Sequence, residues 1–251
     1  MDNELKYNNI EDLINNISSN FKILEETIDI ELQRDFFESS LKIDIKKEER
    51  AISELINDMN EETIPNDDKK TIIQKLAMMD SVEAFRALEN FSKNAPAELK
   101  DWTILALQQS QMILQSSLLD EQQIFISTGL GGKDDKLRYF LIFPFNHPGQ
   151  VSPIQQSTLQ KELIFFLEQY GCHFEEIEFF DDFATALALI PLKAEIQSLI
   201  KELLNECNQY GNFLSDNIII TNIKRFNGAE IQDIIKKSEE QGFDGNFKKM
   251  K

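Results

Sequence analysis

Hydrophobic and polar positions follow two different patterns along the chain, and the pattern changes near Gly129. Upstream of it, apolar residues recur at spacings of three and four, which is typical of one face of an α-helix. All nine glycines lie at or after Gly129, and a stretch without glycine favours helices over tight turns. We therefore predict an all-helical domain over residues 1–128. Its two clearest apolar stripes are Ile10, Leu13, Ile14, Ile17, Phe21, Leu24, Ile28 and Ile52, Leu55, Ile56, Met59.

The segment between these two stripes has a different period. Leu41, Ile43 and Ile45 alternate with polar residues as in a strand, so the element that joins the helices is left open. Further along, the polar sequence around Pro65 indicates a break, and Asn66 or Asp67 is a suitable cap for the next helix.

Residues 76–107, LAMMDSVEAFRALENFSKNAPAELKDWTILAL, are the most regularly patterned part of the chain. Ser81 is placed to begin one helix and Pro96 lies near the first turn of the next. With its short turns, small residues and repeated LA and AL pairs, this run resembles a HEAT-type helical repeat. Fewer than about three stacked units are visible, so a long solenoid is not implied, and a compact helical bundle is the alternative.

From Leu137 onward the pattern predicts alternating strands and helices. The strand LRYFLIFPF precedes a helix that has Ser152 as its cap and Pro153 at its first position. CHFEEIEFF and FATALALIPL indicate a strand hairpin, a second helix ends near Gly211, and the strand NIIITNIKRF precedes a terminal helix. This order is that of a ferredoxin-like βαββαβ domain, which we predict over residues 137–251 of an α+β protein. Whether IFIST at residues 124–128 forms a strand is left open.

The glycine-rich segment at residues 129–136, GLGGKDDK, could turn the chain or cradle a phosphate. A phosphate-binding P-loop needs Ser or Thr after the lysine and a helix behind it, but Lys133 is followed by Asp134 and then by a predicted strand. We therefore predict a structural joint, in which Gly131 needs a positive φ angle. Lys133 is kept as a weak candidate for contact with an anion.

Charge argues against some classes of partner. The net charge is −18 at pH 7, and a chain this acidic repels a phosphate backbone, so we expect no nucleic-acid partner. Residues 1–64 carry 17 acidic and 7 basic side chains. This excess serves solubility or attracts a basic protein partner.

The compartment is inferred from what the sequence lacks. The N-terminal sequence MDNELKYNN has no feature of a secretory signal, and no run of about eighteen apolar residues predicts a membrane span. Cys172 and Cys207 fit no zinc-ligand spacing and suit a reducing compartment. We predict a cytoplasmic protein without a membrane partner.

Candidate binding residues lie in the turn after the first strand of the predicted sheet. Asn146 and His147 occupy this turn, where a small anionic molecule could be contacted. Arg138 and Arg225 lie beside aromatic residues on strands, but neither sequence has the glycine–aromatic pattern of RNA-binding sheets.

Catalytic and metal-binding groups are not indicated by the sequence. The acidic cluster in the strand CHFEEIEFF divides between the two faces of that strand, which disfavours a metal site. No serine lies in a GxSxG setting, and we predict no enzyme activity, no metal and no cofactor.

Together these patterns predict a non-catalytic cytoplasmic protein that acts by protein–protein interaction. The alternative is a regulatory domain that senses a small molecule. A homo-oligomer formed through the sheet is left open.

Overall fold

The computed structural model describes residues 21–120 and 124–240. It mixes helices and strands, with a helical region before a sheet, which confirms the predicted α+β class. The described residues fall into two compact units, of which one contains residues 21–24, 28–120 and 124–126 and the other residues 25–27 and 127–240. The domain limits drawn from the sequence remain a prediction.

The helical unit contains five helices and a short pair of strands. Strand β1 (Phe21–Ile23) precedes helices α1 (Ile30–Ser40), α2 (Ile52–Asn60), α3 (Asn66–Ala77), α4 (Val82–Ser92) and α5 (Ala97–Leu119), and strand β2 (Ile124–Ile126) follows them. A short 3-10 helix, Ile45–Lys47, lies between α1 and α2. β1 and β2 pair in parallel, with Phe21 opposite Ile124.

Local sequence explains where several of these helices begin. Asp29 accepts hydrogen bonds from the backbone N–H groups of Glu31 and Leu32 at 2.8 and 3.2 Å, and it thereby caps α1. Ser81 caps α4 as the sequence predicted, because its hydroxyl accepts from Ala84 N at 3.4 Å. Pro65 and Pro96 immediately precede α3 and α5.

One hydrophobic core draws side chains from all five helices, which is the arrangement of a compact bundle. At its centre the buried rings of Phe36 and Trp102 make an edge-to-face contact with centroids 5.1 Å apart. Two polar side chains form hydrogen bonds between helices: Gln74 Nε2 donates to Phe36 O at 2.8 Å, and Trp102 Nε1 donates to Lys70 O at 3.1 Å. These bonds tie α1 to α3 and α3 to α5.

One helical-unit prediction is wrong, and one question that the sequence left open is answered. We predicted a helix for the apolar stripe that runs through Phe21, but Phe21–Ile23 is a strand. The prediction failed because the partner strand β2 lies about a hundred residues away, so the sequence near Phe21 does not show the pairing. Residues 10–17 of that stripe lie outside the described residues. The alternation at Leu41, Ile43 and Ile45 is not a strand. There, Lys42 N and Ile43 N donate to Ser39 O and Ser40 O, so the chain turns and enters the 3-10 helix.

The second unit has the predicted ferredoxin-like order. Strands β3 (Gly132–Lys133) and β4 (Lys136–Pro144) are followed by helix α6 (Pro153–Gln169), strands β5 (His173–Phe179) and β6 (Phe183–Pro191), helix α7 (Ile196–Asn208), strand β7 (Ile219–Thr221) and helix α8 (Gly228–Glu240). β5, β6, β4 and β7 lie side by side in that order, and all their pairings are antiparallel. β7 is shorter than the predicted strand.

Helices α6 and α7 cover one face of this sheet. Alanines at alternate positions of β6 let the helices pack closely, and Leu141 and Phe143 of β4 complete the same core. Ser152 begins α6 with a reciprocal capping box, in which its hydroxyl accepts from Gln155 N at 3.3 Å and the Gln155 side chain accepts from Ser152 N at 2.9 Å.

The open question about residues 124–128 has a clear answer. Ile124–Ile126 is a strand, but it belongs to the two-stranded sheet of the helical unit. The first residues of β4 pair with β3 instead, with Gly132 opposite Leu137. The glycine-rich segment therefore contributes its own short strand.

Candidate functional site

The face of the five-stranded sheet that lies away from α6 and α7 collects a second set of side chains, which we call the outer face. Directly opposed residues of antiparallel strands share a face, and side chains alternate along each strand. The register places Phe140 beside Leu187 and Ile142 beside Thr185. The outer face comprises Arg138, Phe140 and Ile142 of β4, Phe183, Thr185 and Leu187 of β6, Glu176 and Glu178 of β5, and Ile219 and Thr221 of β7.

Helix α8 lies against the centre of the outer face. Ile231 of α8 is buried in one cluster with Phe140, Ile142, Phe183 and Leu187, and Leu130 from the glycine-rich segment joins them. Ile235 and Phe226 pack against this cluster and are partly buried. The aromatic centre of the outer face is therefore covered in this structure.

At one end of the outer face an aromatic ring remains accessible. Phe180, in the turn between β5 and β6, has 46% of its surface exposed. Its ring lies 4.8 Å from that of Phe183 between centroids, with 34° between the ring planes, and the backbone fixes the turn through a 2.9 Å hydrogen bond from Phe180 N to Phe183 O. We call Phe180 and Phe183 the hairpin aromatic pair.

At the opposite end of the outer face, Arg138 forms hydrogen bonds with strand β5 and with the glycine-rich segment. Its guanidinium donates to both carboxylate oxygens of Glu175, at 2.6 and 2.8 Å, and to Leu130 O at 3.0 Å. The bidentate hydrogen bond raises the pKa of Arg138 and holds the pKa of Glu175 below its usual value. Arg138 thus ties β4 to β5 and to the glycine-rich segment.

Two further cations lie near α8 in more exposed positions. Arg225 Nη1 is 2.5 Å from Glu176 Oε1, and the Arg225 side chain is 53% exposed. Lys224 pairs with Glu230 at 2.6 Å, and its ammonium lies 5.1 Å from the centre of the Phe226 ring. Exposed pairs of this kind exchange partners readily, since each contributes little to stability.

Three backbone N–H groups of the glycine-rich segment donate hydrogen bonds within the protein. Leu130 N donates to Asn222 O at 3.1 Å, Gly131 N to Thr128 O at 3.3 Å, and Gly132 N to Glu25 O at 3.4 Å. Gly131 has φ +67°, as the sequence predicted, and a Cβ there would lie 2.3 Å from Glu25 O. The segment is a closely packed turn whose N–H groups are already donated.

The three candidate binding residues named from the sequence do not form one site. Lys133 is exposed in β3 beside the start of β4, whereas Asn146 and His147 follow its end, so the nine-residue strand separates them by roughly 30 Å. Asn146 Nδ2 donates to Asn212 O and Leu214 O at 3.0 and 2.9 Å, which fastens the segment after α7. His147 is exposed in the turn. Their binding roles remain predictions.

The acidic strand β5 is an edge strand of the sheet, and an irregularity interrupts its register between Phe174 and Glu176. Charged side chains and bulges on an edge strand oppose pairing with further strands. Among the described residues, no group of three or more His, Cys, Asp or Glu side chains could hold a metal ion. Nor is any helix within those residues long and apolar enough to cross a membrane.

The two thiols are packed in the core that α6 and α7 form with the sheet, and Cys207 belongs to α7 itself. Burial raises the pKa of Cys172 to about 11 and that of Cys207 to about 12. Both therefore stay protonated near neutral pH and behave as small apolar side chains.

The sequence contains a signal for the outer face that the choice of candidate residues missed. In β6, FATALALIP, alanine alternates with Phe183, Thr185 and Leu187. The small side chains mark the face that packs closely on helices, so the larger ones had to point to a second layer. The identity of that layer, α8, could not be read from spacing alone.

Comparison with known protein families and with curated proteins finds no match. Among solved structures, the chain is similar to a "putative transposase" from Deinococcus radiodurans R1, at 19% identity and a TM-score of 0.36, over 42% of this chain and 93% of that one. It is also similar to a REP-associated tyrosine transposase bound to a REP hairpin, at 11% identity and a TM-score of 0.31, over 43% of this chain and 70% of that one.

These two neighbours contradict the function predicted from the sequence. We predicted a non-catalytic interaction or sensing protein with no enzyme activity and no nucleic-acid partner. Both neighbours are named as transposases, so these predictions are wrong. The physical weakness of the last prediction is that net charge sums the whole chain, whereas nucleic-acid contacts are local. At TM-scores below 0.5 the likeness itself assigns no activity to this chain.

Proposed function

We propose that the chain binds single-stranded nucleic acid at the hairpin aromatic pair. The observation that carries this proposal is the exposed ring of Phe180, which is held in place by the buried ring of Phe183 beneath it. An aromatic ring that is both exposed and immobilised offers a flat apolar surface at low entropic cost. A nucleobase stacked on Phe180 would remove that surface from water.

The geometry suits single strands better than duplexes. Stacking on a protein side chain requires a base whose own face is free, and bases inside a duplex are already stacked on their neighbours. Phe180 lies in a short turn whose other two residues, Asp181 and Asp182, are acidic and not the apolar wedge that opens a base step. Unpaired bases in loops, ends or single strands are therefore the proposed ligands.

Charge sets the expected mode and strength of binding. The cations closest to the outer face, Arg138 and Arg225, are paired with Glu175 and Glu176, so they neutralise few phosphates. Stacking contributes about 1–3 kcal/mol per base. Because the accessible ring of Phe180 stacks one base, we expect weak binding with a shallow dependence on salt.

The proposal is tested by titrating a fluorescently labelled single-stranded oligonucleotide and following its anisotropy up to millimolar protein. We expect Phe180→Ala to weaken binding about tenfold, because it removes one stacked base. The matched control is Phe165→Ala on α6, which removes a ring of similar exposure, 58%, from the opposite side of the sheet. Equal affinity of Phe180→Ala and the unmodified protein, or no binding to any single strand, would sink the proposal.

The cytoplasmic location is proposed on the same footing. Cys172 and Cys207 are both free and buried. Unpaired thiols of this kind suit a reducing compartment, where disulfides rarely persist.

A further inference from the structure

We infer that helix α8 is a displaceable cover over the outer face, and that its movement extends the nucleic-acid site from Phe180 to the aromatic residues beneath the helix. This inference rests on the proposed function and concerns the regulation of the same site. While α8 is in place, Phe140 and Phe183 are 5% and 3% exposed, so of these two rings and Phe180 a base can reach only Phe180.

The attachment of α8 to the sheet is slight. Over residues 228–238, for which side chains are described, Ile231 is the one buried side chain of this helix. By contrast, α6 buries four residues and α7 buries five against the other face. An element held by one buried side chain opens at a lower free energy than the core does.

The polar contacts of α8 with the sheet are also weak. Gln232 Nε2 donates to Asp182 Oδ2 at 3.3 Å, at the exposed end of the hairpin. Surface contacts between long or polar side chains contribute little net stability, because water replaces each partner. These contacts orient the helix without fixing it.

The start of α8 is stabilised by its own residues, independently of the sheet. Asn227 and Glu230 form a reciprocal cap, in which Glu230 N donates to Asn227 Oδ1 at 3.0 Å and Asn227 N donates to Glu230 Oε2 at 2.9 Å. Lys224 pairs with Glu230 as well. The helix can thus leave the sheet as a folded element, with residues 222–226 as the connection.

The surface beneath α8 matches the ligand class proposed for Phe180. Displacement of Ile231 exposes Phe140 and Phe183 on the two central strands, next to Leu187 and Ile142. Two aromatic rings on adjacent central strands form a stacking platform that continues from Phe180. A strand that reaches this platform competes with α8 for the same apolar surface.

A reversible lock provides the test in the full-length chain. The double substitution Asp182→Cys with Gln232→Cys places two thiols at positions whose native side chains form a hydrogen bond. Oxidation to a disulfide, or to a reducible dithiol bridge where the Cα separation exceeds about 7 Å, then joins α8 to the hairpin. The native thiols Cys172 and Cys207 are buried, so they leave the new pair undisturbed. A mass measurement verifies the bond before a single-stranded oligonucleotide is titrated by anisotropy.

We expect the oxidised protein to bind the oligonucleotide at least about tenfold more weakly than the same protein after reduction, since only Phe180 stays accessible. Ile231→Ala, which loosens the cover, should bind severalfold more tightly than the unmodified chain. Equal affinity in the oxidised and reduced states overturns the cover while the proposed function stands. No binding in any state overturns both.

Discussion

Replacing Gly131 by alanine should destabilise the sheet unit by more than its backbone angle alone explains. Gly131 has φ +67°, and an alanine Cβ would lie 2.3 Å from Glu25 O and 2.5 Å from Glu26 O. Neither oxygen can rotate away as the end of a side chain could. The backbone of residues 25–26 would have to shift, and the 3.4 Å hydrogen bond from Gly132 N to Glu25 O would be lost with it.

The expected cost of Gly131→Ala combines three contributions. The left-handed conformation costs a residue with a Cβ about 1 kcal/mol. Loss of the Gly132 hydrogen bond costs about 1 kcal/mol, and displacement of closely packed backbone costs about 1–3 kcal/mol. The free energy of unfolding should therefore fall by about 3–5 kcal/mol.

Two other glycines separate these contributions. Gly149 has φ +69°, and no atom lies within 4 Å of the position that a Cβ would take, so Gly149→Ala measures the conformational cost alone, about 1 kcal/mol. A Cβ at Gly129 would lie 1.6 Å from Ile223 O without a positive φ, so Gly129→Ala measures the steric cost alone. Lys133→Ala, at an exposed side chain in the same segment, should change stability by less than about 0.5 kcal/mol.

Urea unfolding followed by far-ultraviolet circular dichroism is the suitable assay. The single tryptophan, Trp102, lies in the core of the helical unit, so its fluorescence would report on the wrong part of the chain. We expect the loss of stability to rank Gly131→Ala and Gly129→Ala well above Gly149→Ala. If Gly131→Ala costs no more than Gly149→Ala, the close approach of residues 25–26 is refuted.

Two further predictions concern ionisation. Hydrogen bonds from Arg50 and Lys75 hold the pKa of the buried Glu48 carboxylate well below its usual value, so its contribution is present above the unfolded pKa of about 4.3 and is lost as pH falls toward the folded pKa. Glu48→Gln should cost about 2–3 kcal/mol at pH 7 and flatten the fall in stability between pH 5 and 3, measured by urea unfolding; an unchanged slope would contradict this. Since burial raises the pKa of Cys172 and Cys207 to about 11 and 12, neither should react with a thiol reagent at pH 8 until the chain unfolds, and labelling of the folded protein would show that the thiols are accessible.

The sheet unit was predictable from sequence because its signals are local. The strand alternation in FATALALIP and the cap formed by Ser152 with Pro153 each lie within a few residues, and each led to the element that the structure contains. The prediction for Phe21–Ile23, strand β1, was wrong for the opposite reason, because the signal that identifies this strand is not local. Phe21 has the spacing of a helical stripe, and only its pairing with Ile124 makes it part of a strand.

The candidate site was harder to predict from the sequence, because it depends on which helix packs against which face of the sheet. Ile231 and Ile235 lie four residues apart on a predicted helix, so an apolar stripe was visible, but its docking on Phe140 and Phe183 is a tertiary fact. We chose Lys133 and His147 from the sequence instead, because their side chains can contact an anion. The structure places them at opposite ends of β4.

The net charge was a poor guide to nucleic-acid binding for a related reason. The net charge of −18 sums every acidic and basic side chain and does not say where they lie. Next to the outer face, Glu175 and Glu176 are paired with Arg138 and Arg225 respectively. Salt also screens exposed charges beyond about 10 Å, so the total overstates the repulsion that a phosphate meets there. What then decides contact with a nucleic acid is the apolar surface of Phe180 and its neighbours, which a sum of charges does not measure.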